Sequence, residues 1–159
     1  AFYFTFGACQ AHCAGCHSPE LSRPVAEPWI LPALTAYAET QIQRGANAIL
    51  LLGGTTNGVP LPHLRTLINT LAELAPVGLY SGSDDDALHQ RLARTTRLTW
   101  LKTGSYQKER GGLDDPHTNQ RFYRKETQYY GTNAFDIRWS VTLKDLTHLF
   151  QTRKDDRTC

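Results

Sequence analysis

The sequence predicts an α/β fold with a mainly parallel sheet, because short apolar runs alternate with amphipathic segments along most of the chain. Phenylalanine recurs at every second position from 2 to 6, which is the period of a half-buried strand. The continuous apolar run over residues 47–52 is typical of a parallel strand covered on both faces. Three segments between such runs carry apolar side chains at helical spacing. The predicted order is therefore β-loop-α-β-α-β-α-β, with right-handed crossovers.

Residues at the ends of these segments indicate where the predicted helices begin and end. Gly45 follows the first helical segment and is a plausible helix end. The third helical segment opens with acidic residues at its positive end. The predicted elements are helices over residues 31–44, 61–74 and 84–94, and strands over residues 2–6, 47–52, 77–80 and 98–102.

The pattern weakens after about residue 124. Residues 129–133, Tyr-Tyr-Gly-Thr-Asn, predict a turn, and residues 137–143 predict an added strand. We therefore predict a core over residues 1–126 and a C-terminal extension over residues 127–159. The last eight residues of that extension are predicted to be disordered.

Composition describes an ordinary globular chain of 159 residues, with 40% apolar residues, 20% charged residues and a net charge of +2. Basic residues form no dense run, so no nucleic-acid partner is expected. The longest apolar stretch, over residues 48–52, is far too short to span a bilayer, so no membrane association is expected. No signal peptide is visible, which favours the cytoplasm. The sequence contains no methionine, so either the initiator has been removed or the chain begins inside a longer one.

Three of the four cysteines lie within eight residues, as Cys9, Cys13 and Cys16 in a C-x3-C-x2-C run. Thiolates are the usual ligands of iron–sulfur clusters, and a complete site normally has four. Three thiolates on one loop therefore leave one iron open or take a fourth ligand from elsewhere. The spacing favours an iron–sulfur cluster over other uses of these residues.

Zinc is the alternative use of the same loop, with His17 as a fourth ligand beside the three cysteines. No second pair of closely spaced ligands follows, as structural zinc sites usually require. A disulfide framework is unlikely for a cysteine set this clustered. Cys159 is the last residue, behind a charged stretch, and is interpreted as a tail thiol rather than a ligand.

Residues around the cysteines carry a resemblance to a known family. Residues 6–21, ending in the string C-A-G-C-H-S-P-E-L, closely resemble the cluster loop of radical S-adenosylmethionine enzymes. A second block combines K-T-G-S-Y at 102–106, G-G-L-D at 111–114 and T-N-Q-R at 118–121. The two strings together resemble the activating proteins of anaerobic (class III) ribonucleotide reductase, over about residues 1–126 and more loosely over 143–150.

This resemblance implies a fold, a reaction and partners. The fold would be an open partial (β/α) barrel with a mainly parallel sheet. The cofactors would be one 4Fe–4S cluster with three cysteine ligands, together with S-adenosylmethionine. Reductive cleavage would give methionine and a 5′-deoxyadenosyl radical, which would generate a glycyl radical on the catalytic subunit of the reductase. A low-potential donor such as flavodoxin or ferredoxin would supply the electron.

Site residues follow from the family's motifs and from their places after the predicted strands, where ligands of α/β sheets collect. Gly53 and Gly54 resemble a G-G-E element that meets the ligand's amino group, although Thr55 replaces the acid. A simple strand-to-helix turn is the alternative interpretation of this pair. The full set also contains Gly15, His17, Ser81 and Lys102 as cofactor-binding residues and, more weakly, Asn119, Gln120 and Arg121 as a partner loop.

The chain departs from the family pattern at Thr55 and Thr99, and two alternative functions remain open. Thr99 stands where relatives often have an acid, three residues before Lys102, whose ammonium is expected to meet an anion such as the ligand's carboxylate. One alternative function is a small radical enzyme acting on a free metabolite. The other is a non-catalytic interaction module that binds zinc or an iron–sulfur cluster.

Overall fold

A computed structural model describes residues 1–131 and 137–151 of the chain. Six strands, four α-helices and two short 3-10 helices follow one another in this part. The strands are β1 (Phe2–Thr5), β2 (Ile49–Leu52), β3 (Val77–Tyr80), β4 (Trp100–Thr103), β5 (Arg121–Tyr130) and β6 (Arg138–Asp145). The helices are α1 (Leu31–Gln43), α2 (Leu61–Leu71), α3 (Asp86–Thr95) and α4 (His148–Gln151), with 3-10 turns at Pro19–Ser22 and Lys108–Arg110.

One open sheet contains all six strands in chain order, from β1 at one edge to β6 at the other. Strands β1 to β4 pair in parallel, while β5 is antiparallel to β4 and β6 antiparallel to β5. The chain is thus an α/β protein with a mainly parallel sheet, as predicted. The β-α-β-α-β-α-β order of the first four strands is also confirmed.

The sheet is buried unequally on its two faces. Buried residues of α1, α2 and α3 share one apolar cluster with Ile49 and Leu51, so the three helices lie on the same face of the sheet. Ile49 and Leu51 of β2 point to that face and are fully buried, whereas Leu50 and Leu52 are only partly buried. The expectation that β2 is covered on both faces was therefore wrong for the second face, because the helices do not cover it.

A single apolar core fills the space between the helices and the covered face of the sheet. Leu64, Ile68 and Leu71 of α2 are buried there, as the helical spacing of these residues predicts. They pack with side chains of β2, β3 and β4 and with Leu92 of α3. Burial of this kind stabilises the fold by roughly 1.5–3 kcal/mol for each large side chain.

Two helix boundaries differ from the sequence prediction. Helix α2 ends at Leu71 rather than at residue 74, because Pro76 disfavours a helical backbone just before it and the chain must turn into β3. Helix α3 begins at Asp86 rather than at Asp84. Asp85 is its N-cap, and the carboxylate accepts a hydrogen bond from the Leu88 N–H at 3.0 Å. Strand β4 is shifted toward its C-terminus by one or two residues.

The turn predicted at residues 129–133 was wrong at its first two positions. Tyr129 and Tyr130 belong to β5 and pair with Trp139 and Arg138 of β6, because aromatic residues favour extended backbone when a partner strand is present. The added strand predicted at 137–143 is confirmed as β6. Residues 132 and 133 of the predicted turn and the predicted disordered tail lie outside the described residues. Strand β5 continues across position 126, where the sequence analysis divides core from extension.

Among the described helices, none combines the length and apolar character that crossing a membrane requires.

Ile68→Ala is expected to lower the free energy of unfolding by about 3 kcal/mol, because it opens a cavity at a fully buried position of α2. The measurement is urea denaturation followed by circular dichroism. Arg65→Ala is the matched control in the same helix, at an exposed position, and should change stability by less than about 0.5 kcal/mol. Equal losses in the two variants would contradict the described core.

Candidate functional site

The carboxyl ends of β1 to β4 lie side by side along one edge of the sheet, because these strands are parallel and in register. Strands β1, β2 and β3 are followed by the cysteine loop, the Gly53-Gly54 loop and the Ser81-Gly82 loop, while Lys102 lies within β4, one residue before its end at Thr103. Backbone hydrogen bonds join the first residue of a loop to the end of the neighbouring strand. The Gly53 N–H donates to the Tyr80 carbonyl, and the Ser81 N–H donates to the Lys102 carbonyl at 2.7 Å.

The cysteine loop folds back on the segment that follows it. The Ala8 N–H donates to the Arg23 carbonyl at 2.8 Å, and the Cys9 N–H donates to the Leu21 carbonyl at 2.9 Å. Ala8 and His12 have φ angles of 54° and 45°, a left-handed conformation that non-glycine residues rarely adopt. Strained backbone of this kind persists where surrounding contacts hold it, and it is concentrated at functional sites.

The thiols of Cys9, Cys13 and Cys16 are free, and Cys16 is the most exposed of the three. The Cys9 thiol is 3.5 Å from the Thr56 hydroxyl, and the Ser18 N–H donates to the Cys16 sulfur at 3.4 Å. Within residues 1–131 and 137–151, no three His, Cys, Asp or Glu side chains are grouped so as to hold a metal ion. The type of ligand atom nevertheless fits an iron–sulfur cluster, because three free thiols lie on one loop. One of these sulfur atoms already accepts an amide hydrogen bond.

The loop after β2 is fixed to the cysteine loop by Asn57. Its side-chain oxygen accepts the Gly54 N–H at 2.7 Å, and its NH₂ donates to the carbonyls of Phe6 and Gly7 at 3.0 and 2.9 Å. The Gln10 N–H also donates to the Thr56 carbonyl at 2.7 Å. The first two motif loops therefore form one hydrogen-bonded unit.

Both glycines of the Gly53-Gly54 pair are required by the local backbone. Their φ angles are 107° and 97°, which residues with a Cβ rarely adopt. A Cβ at Gly53 would also lie 2.8 Å from the Asn57 side-chain oxygen, and one at Gly54 would lie 3.0 Å from Leu64. The tight turn by itself accounts for these glycines, so their presence does not decide between a turn and a ligand site.

A chain of side-chain hydrogen bonds runs inward from the loop after β2. The Thr55 and Ser81 hydroxyls are 2.9 Å apart, and the Ser81 hydroxyl is 2.9 Å from His89 Nε2. Ser81 and His89 are 1% and 2% exposed, whereas Thr55 is only partly buried. Burial lowers the pKa of His89, and the nearby charges of Asp86 and the two acids before it oppose that shift in part.

Lys102 is the penultimate residue of β4 and lies on the less covered face of the sheet. Its register neighbours in the same row are Thr5, Leu52, Tyr80 and Phe122. Burial lowers the pKa of Lys102 to about 8, and the charges of Cys13 and Asp84 oppose that shift. The ammonium donates to the Gly104 carbonyl at 2.9 Å. A lysine beside the cysteine loop whose charged form is disfavoured by burial is suited to receive an anionic group, since an anion favours that charged form.

Two further predicted residues lie on the outer part of the cysteine loop. The His17 ring packs against Tyr106, with ring centroids 4.8 Å apart and an interplanar angle of 48°. Gly15 has a φ of 70°, and a Cβ there would lie 3.2 Å from the Lys108 side chain. Tyr106 of the second sequence block therefore contacts His17 of the first, and Lys108, between the strings of that block, lies beside Gly15. The two motifs that carry the family resemblance are adjacent in space.

The segment from Asn119 to Arg121 braces the loop after β4. Asn119 donates to the Ser105 carbonyl at 2.9 Å, and Gln120, which is buried, donates to the Gly104 carbonyl at 3.4 Å. Arg121 begins β5, and its guanidinium donates to the Thr118 carbonyl at 2.8 Å. Its predicted contact with a partner protein stays a prediction.

Several residues of the site have no role in the sequence-based prediction. Asp84 and His89 belong to no predicted motif, and Asn57 lies in the predicted motif after β2 without a predicted role, yet each fixes a loop of the site. Asp84 lies before α3, and its carboxylate accepts hydrogen bonds from the Ser105 N–H and hydroxyl at 3.0 and 2.6 Å. These bonds lower the pKa of Asp84. A polar residue shortly after a predicted strand is the signal that could have identified Asn57 and Asp84.

A cavity of about 550 Å³ lies beside the edge strand β1 and borders the beginning of the cysteine loop at Phe6, Gly7 and Ala8. Aromatic and apolar side chains line most of it, including Phe4, Trp29 and Tyr37. Thr55, Ser81 and Lys102 do not line it. We place the candidate site at the strand ends, because the polar and sulfur-bearing groups converge there.

In comparisons with family models, with curated proteins and with solved structures, no match to this chain was found. What the chain does is therefore inferred from its own residues. The structure brings the cysteine loop, the loop after β2, Ser81 and Lys102 to one edge of the sheet. It places the segment from Asn119 to Arg121 against the loop after β4.

Asn57→Asp is expected to lower the free energy of unfolding by about 2 kcal/mol, because the new oxygen would face the carbonyls of Phe6 and Gly7 without a proton to donate. Urea denaturation at neutral pH measures the loss. Asn47→Asp makes the same change of charge at an exposed position and should have little effect. Equal stability of the two variants would show that Asn57 does not hold the loops together.

Stability is expected to fall as the pH drops below about 6.5, in part because His89 is buried and its pKa is lowered in the folded state. The unfolded chain then binds more protons at this residue than the folded chain does, so acidification favours unfolding. The measurement is the free energy of unfolding between pH 7 and pH 5. His89→Gln removes this titration and should flatten the dependence. An unchanged pH profile in that variant would refute the assignment.

Proposed function

We propose that this chain is a radical S-adenosylmethionine enzyme that activates an anaerobic (class III) ribonucleotide reductase. The observation that supports the proposal is the convergence of four loops on one sheet edge, with the Cys9 thiol 3.5 Å from the Thr56 hydroxyl. The contact of His17 with Tyr106 adds to it, since it joins the two sequence blocks that resemble this family. The open sheet with strands in sequential order suits the partial barrel of that family.

In this proposal Cys9, Cys13 and Cys16 hold the 4Fe–4S cluster, and S-adenosylmethionine binds beside it. When bound, these cofactors supply reductive cleavage to methionine and a 5′-deoxyadenosyl radical that takes a hydrogen atom from a glycine of the reductase. Lys102 would bind the carboxylate of the ligand, because that anion would favour the charged form of a lysine whose pKa is about 8. The backbone at Gly53 and Gly54 and the hydroxyl of Thr55 would meet the amino group.

The remaining assignments concern position and partners. Gly15, His17 and Ser81 would shape the wall of the cofactor site, and the segment from Asn119 to Arg121 would lie near the docked reductase. The less covered face of the sheet would leave Lys102 and its neighbours open to the ligand. The reaction would occur in the cytoplasm, with flavodoxin or ferredoxin as the low-potential electron donor.

Anaerobic reconstitution with iron and sulfide is expected to give a cluster whose electron paramagnetic resonance signal, after reduction, changes on addition of S-adenosylmethionine. 5′-Deoxyadenosine should form at the same time. Cys13→Ala should lose both the signal and the product, because a cluster thiolate is missing. Cys159→Ala is the matched control and should retain both.

Two outcomes would redirect the proposal. A colourless protein that binds zinc and forms no 5′-deoxyadenosine would refute it and favour a non-catalytic metal-binding module. A protein that cleaves S-adenosylmethionine but forms no glycyl radical when mixed with anaerobic reductase would favour a radical enzyme with a small-molecule substrate. The spectrum of the glycyl radical on the reductase is the measurement that separates the second case.

A further inference from the structure

The hydrogen-bond chain from Thr55 through Ser81 to His89 has a direction, which the proton positions decide. A hydroxyl donates one hydrogen bond and accepts two. The Ser81 oxygen already accepts the Ser83 N–H at 3.1 Å, and it lies 2.9 Å from both Thr55 Oγ1 and His89 Nε2. If Ser81 donates to His89, its second acceptor position takes the proton of Thr55. If His89 donates instead, Ser81 must donate to Thr55.

The surroundings of His89 Nδ1 distinguish these two arrangements. In the described part of the chain, this buried atom has no hydrogen-bond partner, and the nearest carboxylate oxygen, Asp86 Oδ1, lies 4.0 Å away. Asp84, Asp85 and Asp86 are the charged groups that act on this ring, and all three are negative. A proton on Nδ1 is attracted by these charges, whereas a lone pair there is repelled. The proton of the neutral ring therefore belongs on Nδ1, which leaves Nε2 as an acceptor.

We propose that His89 and Ser81 orient the Thr55 hydroxyl as a hydrogen-bond acceptor for a primary ammonium group, the amino group of the ligand. With Nε2 unprotonated, Ser81 donates to His89, and Thr55 donates to Ser81. The remaining lone pairs of the Thr55 hydroxyl are then not used by Ser81 or His89. Thr55 is partly buried and lies at the edge of the sheet where the motif loops meet. The identity of the ligand in this inference rests on the proposed function. The donor and acceptor roles of Thr55, Ser81 and His89 do not.

This arrangement gives the threonine a property that a free hydroxyl lacks. An unconstrained hydroxyl can rotate and present either its proton or a lone pair to a ligand. Here the proton is engaged by Ser81, so only acceptor capacity remains. His89 is thus a positioning residue that acts through Ser81. Ser81 itself is 1% exposed, and its hydroxyl contacts Thr55, His89 and the Ser83 N–H, so it acts on the ligand through Thr55.

The first test determines the tautomer of His89 by nitrogen-15 nuclear magnetic resonance on the protein without cofactors at pH 7.5. His89→Gln identifies the signals. We expect a neutral ring with the proton on Nδ1. A proton on Nε2, or a charged ring, would overturn the proposal. In Asp86→Asn, which removes a charge at a fully exposed side chain, the fraction protonated on Nδ1 should fall; an unchanged fraction would refute the role of that carboxylate.

The second test measures binding of S-adenosylmethionine and of its analogue without the amino group to the cluster-loaded protein by equilibrium dialysis. Thr55→Val should bind S-adenosylmethionine about tenfold more weakly, because a charged hydrogen bond is lost. Binding of the analogue should not change. Thr55→Ser keeps the hydroxyl and should behave like the original chain. Equal losses for both compounds in Thr55→Val would overturn the ammonium assignment.

The two tests separate failure of this inference from failure of the proposed function. If the original protein binds neither compound, the proposed function and the ammonium site are both refuted, while the resonance experiment still decides the proton order. If both compounds bind but Thr55→Val prefers S-adenosylmethionine over the analogue as strongly as the original chain does, the proposed function stands and the acceptor role of Thr55 is refuted.

Discussion

Parallel pairing of β1 to β4 in chain order is the constraint on which the rest of the structure depends. Because each strand runs in the same direction as its neighbour, every loop that follows a strand emerges at the same edge of the sheet. The crossover helices then share one face and leave the other less covered. Residues far apart in the sequence, such as Cys9 and Thr56, become neighbours as a consequence of this pairing.

Polar side chains between the loops determine how rigidly that edge is held. Asn57 joins the loop after β2 to the cysteine loop, and Asp84 joins the loop after β3 to the loop after β4. A buried polar group without a partner costs roughly 1–3 kcal/mol, so the part-buried bonds of Asn57 resist opening of the site, whereas the Asp84 bonds are exposed and contribute less. Ala8, one of the two residues with left-handed backbone, is held by its N–H, which donates to the Arg23 carbonyl at 2.8 Å. Stability and the geometry of the candidate site therefore depend on the same residues.

The success of sequence-based prediction varied with the range of the interactions involved. Helix α1 and strand β3 were predicted nearly to the residue. Local periodicity defines both, with a glycine shortly after α1 and a proline directly before β3. The end of α2 and the beginning of α3 were less accurate, because a proline and an aspartate cap compete with the apolar pattern. Strand β5 was largely missed. Its outer half is exposed and has no apolar alternation, and it is extended because β6 pairs with it.

By itself, the sequence determined the α/β class and the order of the first seven elements, because these depend on contacts between residues close together in the chain. The cysteine spacing can be read from the sequence directly. It also identified the motifs that follow each strand. Only the tertiary structure decided which side chains meet: Asn57 with the carbonyls of Phe6 and Gly7, and Ser81 with His89 and Thr55. A hydrogen bond across 26 or more residues, such as that between Thr55 and Ser81, leaves no periodic trace in a sequence. It arises only when strand pairing has fixed where each loop begins.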